Sequence, residues 1–190
     1  MVLRKMRWLI VALLCLVVWP DTAHGQSSAL MDAYNRYSEL HAQGRYSEAE
    51  PYAKEALRLG TEEFGPNDPS TAAFLNNLAA LYGDQGRYAE AEPLYQRALW
   101  IDEKALGPEH PHVATSLNNL ATLYDVQGKY AKAEPLYKRS LAIREKALGP
   151  EHPHVATSLE TYAALLRQTA RADEAGRMEA RAKAIRAKYE

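Results

Sequence analysis

Beyond Cys15 the chain contains no cysteine. Disulfides, thiol nucleophiles and thiolate metal sites are therefore excluded from everything that follows it. Catalytic signatures are missing as well. There is no nucleophile elbow, no Gly-rich phosphate loop, no HExxH and no Cys-x-x-Cys pair. An excess of one charge is lacking too, with 23 basic against 24 acidic residues. That balance leaves no footprint for nucleic acid or an anionic membrane surface. Long apolar runs are limited to Trp8 to Trp19, 12 residues, where a bilayer span needs about 20. No stretch alternates with period two for long, and β-branched content is low, so almost no strand is expected.

The chain start reads as a targeting segment. Arg4, Lys5 and Arg7 precede the apolar run, Pro20 breaks it, and Ala23-His24-Gly25 offers small residues where a signal peptidase reads. This pattern is that of a secretory signal peptide, residues 1–25, cleaved after Gly25. Leu14 stands before Cys15 where a lipoprotein signal would place a small residue, so no lipid anchor is expected. Removing Arg4, Lys5 and Arg7 from the 23 basic residues and Asp21 from the 24 acidic ones leaves 20 and 23, a net charge of −3 on residues 26–190. The expected product is exported, periplasmic or secreted, and not inserted in a membrane after cleavage. Its size suits one domain stabilised by packing alone.

What the chain does have is a 42-residue period. Gly44, Gly86 and Gly128 keep that spacing, with Ala170 in the fourth slot, and so do Pro51, Pro93 and Pro135, and Gly65, Gly107 and Gly149. The run Glu103 to Leu117, EKALGPEHPHVATSL, returns letter for letter as Glu145 to Leu159. Self-similarity at this period marks a solenoid, whose units bury their apolar faces against their neighbours. Within one unit, Leu117, Leu120, Ala121 and Tyr124 define one face of a helix. Gly128 stops it. A second helix carries Tyr130, Ala133, Tyr137 and Leu141 and ends at Gly149-Pro150. Four units result, about 29–69, 70–111, 112–153 and 154–190, each a pair of antiparallel helices. Ala79, Ala121, Ala49, Ala91 and Ala133 let the helices approach. Tyr82, Tyr124, Tyr95 and Tyr137 read as core and inter-repeat packing. Pro51, Pro93 and Pro135 fall about five residues into the second helix, where each removes a backbone hydrogen bond and is expected to bend it.

The order Leu117, Leu120, Ala121, Tyr124, Gly128, Tyr130, Ala133, Tyr137, with Ser140 in the last slot, resembles the tetratricopeptide repeat. The longer period, the connector LGPEHPHVA and the LNNLA and AEPLY phrases are similar to the repeats of kinesin light chains. The resemblance covers residues 29–190 and is most specific in the two central units. The outer units depart from it. Arg36 and Leu40 stand where the pattern has leucine and tyrosine. Glu160-Thr161 replaces the asparagine pair, and Glu179 an aromatic. Terminal units of a stack are expected to be atypical. The resemblance implies an all-α, right-handed solenoid of about four helix pairs and a non-enzymatic scaffold for a protein or peptide partner. It also implies that the first helices line a concave groove.

In that groove the asparagine pairs are the sharpest candidates. Asn76-Asn77 and Asn118-Asn119 lie between packing leucines, and Asn35 holds the matching slot. An amide offers two donors and an acceptor, so a ladder of them can hold the main chain of an extended peptide. The alternative is that the second asparagine of each pair bonds a neighbouring backbone and orders the turn. Thr115, Thr122, Asp84 and Asp125 are expected on the same surface. Glu48, Glu50, Glu90 and Glu92 read as a solvated face without an acid–base partner. His110-Pro111-His112 and His152-Pro153-His154 suggest metal ligands, yet His110 and His152 align with Asp68, where a helix cap is wanted. Two histidines per connector, with no cysteine and no recurring carboxylate, do not complete a four-ligand site. No metal, cofactor or catalytic residue is expected. A self-associating homo-oligomer without a peptide ligand is the alternative to the scaffold.

Overall fold

The computed structural model describes residues 27–189. The signal-peptide reading of residues 1–25 lies outside them. Among the described residues there are eight helices and no strand: α1 Ser28–Ala42, α2 Tyr46–Phe64, α3 Pro69–Asp84, α4 Tyr88–Leu106, α5 Pro111–Val126, α6 Tyr130–Leu148, α7 Pro153–Gln168 and α8 Ala172–Arg186. No helix among them is long and apolar enough to cross a membrane. Packing divides the chain into two compact units, the first ending at Ile101 and the second starting at Asp102.

The turn inside each pair is set by one left-handed residue. Gly44, Gly86 and Gly128 have φ of 71°, 75° and 73°. Ala170 takes the same region at φ 58°, the one non-glycine among the described residues to do so. The connector between pairs turns at Gly65, Gly107 and Gly149, where φ near 90° combines with extended ψ at Gly65 and Gly149, a region open essentially to glycine alone. The first helix after each connector starts with proline at its first turn, where the missing N–H costs nothing. Second helices run unbroken through Pro51, Pro93 and Pro135.

The core repeats with the sequence. In the first unit Ala72, Leu75, Ala98 and Ile101 cluster, with Leu57 and Leu94 against them. In the second unit Ala156, Leu159, Ala182 and Ile185 form the same cluster two periods later, joined by Val155, Leu141 and Met178. The alanines at the helix crossings, Ala49, Ala79, Ala91, Ala121 and Ala133, are fully buried, and so is the ring of Tyr95. Tyr137 is buried as well and stacks on Tyr162, with centroids 6.3 Å apart. Each such large side chain removed from water contributes roughly 2 kcal/mol.

One position shows how the repeats diverge. Gly60, Asp102, Arg144 and Arg186 occupy the same slot of the second helix. At Gly60 the ring of Phe74 lies where a Cβ would be, 2.5 Å from it. At Asp102 the facing residue is Ser116, and at Arg144 it is Ser158. A small-against-large apolar fit has become two polar contacts of opposite charge.

Candidate functional site

The first helices carry the expected binding residues, and their placement differs from one to the next. In the first unit Asn35 is exposed on α1, Asn77 is half-buried on α3 and Asn76 is buried. The main-chain oxygen of Asn77 accepts from the Tyr37 hydroxyl at 3.3 Å, which ties α1 to α3. Asp84 ends α3 with its carboxylate 2.7 Å from His41 Nε2, both side chains buried. The His41 ring sits 5.5 Å from that of Tyr37 and 5.4 Å from that of Tyr46. Asp84 thus closes the turn end of the first unit rather than presenting a free carboxylate.

In the second unit Asn118, Asn119, Thr122 and Asp125 are buried on α5 and Thr115 is half-buried. Asn118 Oδ1 accepts from the Thr161 hydroxyl on α7 at 3.1 Å. Thr122 donates to the Asn118 carbonyl at 2.9 Å, and its oxygen lies 3.0 Å from the Tyr137 hydroxyl. Thr115 accepts from the guanidinium of Arg144 at 3.3 Å. The asparagine pair is therefore divided. Asn118, the first member, joins neighbouring helices. The amides of Asn77 and Asn119, the second members, bond to no described residue, and neither does that of Asn35. The alternative in which the second asparagine orders the turn is not what the structure shows. Three amides at 42-residue spacing keep their hydrogen-bonding capacity.

The second helices carry a recurrent set of bonds that sequence reasoning did not identify. Glu50 takes Lys54 at 2.7 Å within α2 and Arg87 at 2.6 Å from the next repeat. Glu134 takes Lys138 and Arg171, both at 2.7 Å, and the Tyr162 hydroxyl at 2.9 Å. Glu50 is thus not part of a plain solvated face. The ammonium of Lys54 and then the Arg87 guanidinium hold its carboxyl down to about 2, and Lys138 and Arg171 do the same for Glu134. Arg87 also lies over the Tyr82 ring, 4.1 Å from its centroid. Further along, Arg97, Arg139 and Arg181 donate to the carbonyls of Pro66, Pro108 and Pro150 at 3.3, 3.1 and 3.0 Å. Arg139 and Arg181 add carboxylates, Glu103 at 2.6 Å and Glu145 at 2.5 Å. Lys146 pairs with Glu109 and Lys188 with Glu151. Each connector is held by the second helix of the repeat that follows it. The 42-residue spacing of these arginines was the available signal.

The buried charges at the varied slot carry opposite perturbations. Burial pushes the Asp102 carboxyl up to about 6, with the Ser116 hydrogen bond and His110 opposing it. Burial pushes Arg144 down to about 10. Its donors reach only neutral acceptors, Ser158 Oγ at 2.7 Å, Thr115 Oγ1 and the His154 carbonyl at 3.4 Å.

The histidine pairs are helix caps. Asp68 accepts from the Ser70 amide at 2.8 Å. His110 Nδ1 accepts from the His112 amide at 3.2 Å, and His152 Nδ1 from that of His154 at 3.1 Å. Among the described residues no group of three or more histidine, cysteine or carboxylate side chains is gathered for a metal.

A model of the tetratricopeptide repeat matches residues 30–104, 70–146 and 126–188. The chain belongs to the tetratricopeptide repeat family. Among solved structures it is similar to BtubC (BKLC) from P. vanneervenii, with 24% identity, a TM-score of 0.71, and coverage of 88% of this chain and 68% of that one. It is also similar to a putative kinesin light chain of Podosopora anserina with nearly identical TPR-like repeats, seen in two structures. A single-substitution form of that protein gives 25% identity and a TM-score of 0.71 over 95% of this chain and 84% of the other. The second structure gives 25% identity and a TM-score of 0.68 over 96% and 84%. No curated protein matches the chain. The kinesin light chain-like form of the repeat agrees with the long second helix and the connector.

Proposed function

We propose that this tetratricopeptide repeat protein is a non-enzymatic scaffold that binds a peptide or helix of a protein partner on its first-helix faces. The supporting observation is the unengaged state of the Asn35, Asn77 and Asn119 side chains, set at one repeat spacing, where Asn118, Thr122 and Thr115 beside them are internally bonded. Asn77 and Asn119 are the central contacts. Asn76 and Asp84 accompany Asn77 on α3, and Thr115, Thr122, Asn118 and Asp125 accompany Asn119 on α5. Amides that carry no structural bond can be given to a ligand main chain without cost to the fold. Helices already packed in pairs reduce the ordering that binding requires. The work is expected to take place outside the cytoplasm, as the basic and apolar start of the chain suggests.

The test is capture with residues 26–190 as bait, alongside Asn77→Ala and Asn119→Ala together. Helicity of the double variant should be unchanged, since neither amide holds the fold. A partner retained by the parent and lost by the variant supports the reading. Equal retention moves binding to another face, and recovery of the bait alone favours self-association.

A further inference from the structure

The connectors of the two units are closed by different chemistry at the same position. In the first unit the cap of α3 is the Asp68 carboxylate, whose oxygen accepts from the Ser70 amide without depending on an imidazole. In the second unit the caps of α5 and α7 are His110 Nδ1 and His152 Nδ1. An imidazole nitrogen accepts a hydrogen bond only when it carries no proton, so both rings must be neutral with the proton on Nε2. Imidazolium donates from both nitrogens. Protonation therefore removes the acceptor and leaves a cation at the positive end of a helix.

The charges around each cap sharpen this. His110 faces Asp102 from the end of α4 and the His112 ring at 5.0 Å on α5. Its connector carries Glu109, paired with Lys146 of α6, and the Pro108 carbonyl, held by Arg139, which also takes Glu103. His152 faces the His154 ring at 5.0 Å on α7, with the Arg144 cation of α6 beside His154. Its connector carries Glu151, paired with Lys188 beyond α8, and the Pro150 carbonyl, held by Arg181, which also takes Glu145. Burial is the main cause that holds His110, His112 and His154 below the ordinary histidine value.

We propose that His110 and His152 form an acid-sensitive latch: a proton taken up at the two cap nitrogens uncaps α5 and α7 and loosens the second unit, while the carboxylate-capped first unit stays closed. The sign follows from linkage. His110, held below its unfolded value by burial, contributes stability that is complete above about pH 6.5 and is lost as pH falls through its folded value. Asp102 acts in the opposite sense, because its raised carboxyl becomes neutral over the same range and ceases to oppose folding. The two must be separated by experiment, and the first unit supplies the means: aspartate at the cap slot.

The measurement uses the ¹⁵N-labelled full chain and a His110→Asp, His152→Asp variant, which retains Asp102, His112 and His154. Imidazole ¹⁵N shifts report the tautomer of both caps. Amide exchange, normalised for its intrinsic pH dependence, reports protection at His112 and His154 against Ser70. In the parent, Nδ1 should be unprotonated near neutral pH, and protection at His112 and His154 should fall about fivefold as acidification protonates the caps. Ser70 should be unaffected, and the variant should be flat at both sites. Nδ1 protonated at neutral pH, equal loss at Ser70, or the same loss in parent and variant would each overturn the latch. Should the variant fail to fold, the tautomer and the Ser70 comparison in the parent still decide.

Discussion

Ser116 donates its hydroxyl proton to Asp102 across 2.6 Å, and this one bond is all that a buried carboxylate on α4 receives from a described side chain. One neutral donor does not replace the hydration lost on burial. The carboxyl is accordingly raised to about 6, so its ionised form opposes folding. Its contribution is most favourable below about pH 4 and is lost as pH rises through about 6. Asp102→Asn keeps an acceptor for Ser116 and removes the charge. The variant should be more stable than the parent by roughly 2 kcal/mol at pH 8, with the gain shrinking through pH 6. Urea denaturation across that range measures it, and a pH-independent difference would refute the assignment.

Glu50 makes the opposite case. Its carboxyl is held at about 2 by Lys54 and Arg87, so it contributes stability above about pH 4.5 that disappears as pH falls toward 2. Glu50→Gln should cost about 1 kcal/mol at neutral pH. The loss should be smaller at high salt, because Arg87 is partly exposed. Thermal melts at two ionic strengths test both statements.

Backbone strain gives a third pair of outcomes. Ala170 holds φ 58° where three other repeats have glycine. Ala170→Gly should stabilise by up to about 1 kcal/mol, the relief of the left-handed penalty less the added chain entropy. Gly149→Ala should destabilise by about 1–3 kcal/mol, since φ 87° with ψ 153° excludes a Cβ although no neighbouring atom is in the way. Urea denaturation of both variants beside the parent checks the two signs.

At Gly60 the obstacle is a side chain instead. A Cβ there would meet the Phe74 ring at 2.5 Å, so Gly60→Ala should cost about 1–3 kcal/mol by overpacking. In a Phe74→Leu background the cost should fall. A double-mutant cycle that came out additive would show that the two positions do not compete for the same space.

The helical repeat, its period, its turns and its caps were legible in the sequence because each depends on residues close together in the chain. The spacing of Gly128 and Gly149 fixed a unit, and alignment with Asp68 identified His110 and His152 as caps. Contacts between repeats were harder to read. Glu50 looks like any charge on a helix surface until Arg87, 37 residues on, is seen beside it. The target of Arg97, Arg139 and Arg181 is a proline carbonyl, which has no side-chain signature. The asparagine pairs were recognised, but which member is engaged depends on Thr161, 43 residues from Asn118. Asp84 was expected on an open surface because its partner, His41, has no counterpart in the other repeats.

The clasps made by Arg97, Arg139 and Arg181 each run from a later helix to an earlier loop. Fraying that starts at α8 therefore frees the loop before it, at Pro150, whereas fraying that starts at α1 leaves the clasps on Pro66, Pro108 and Pro150 in place. Pulled from its two ends, such a molecule should come apart like a row of roof tiles lifted from the last one laid, with the C-terminal pair yielding before the N-terminal one.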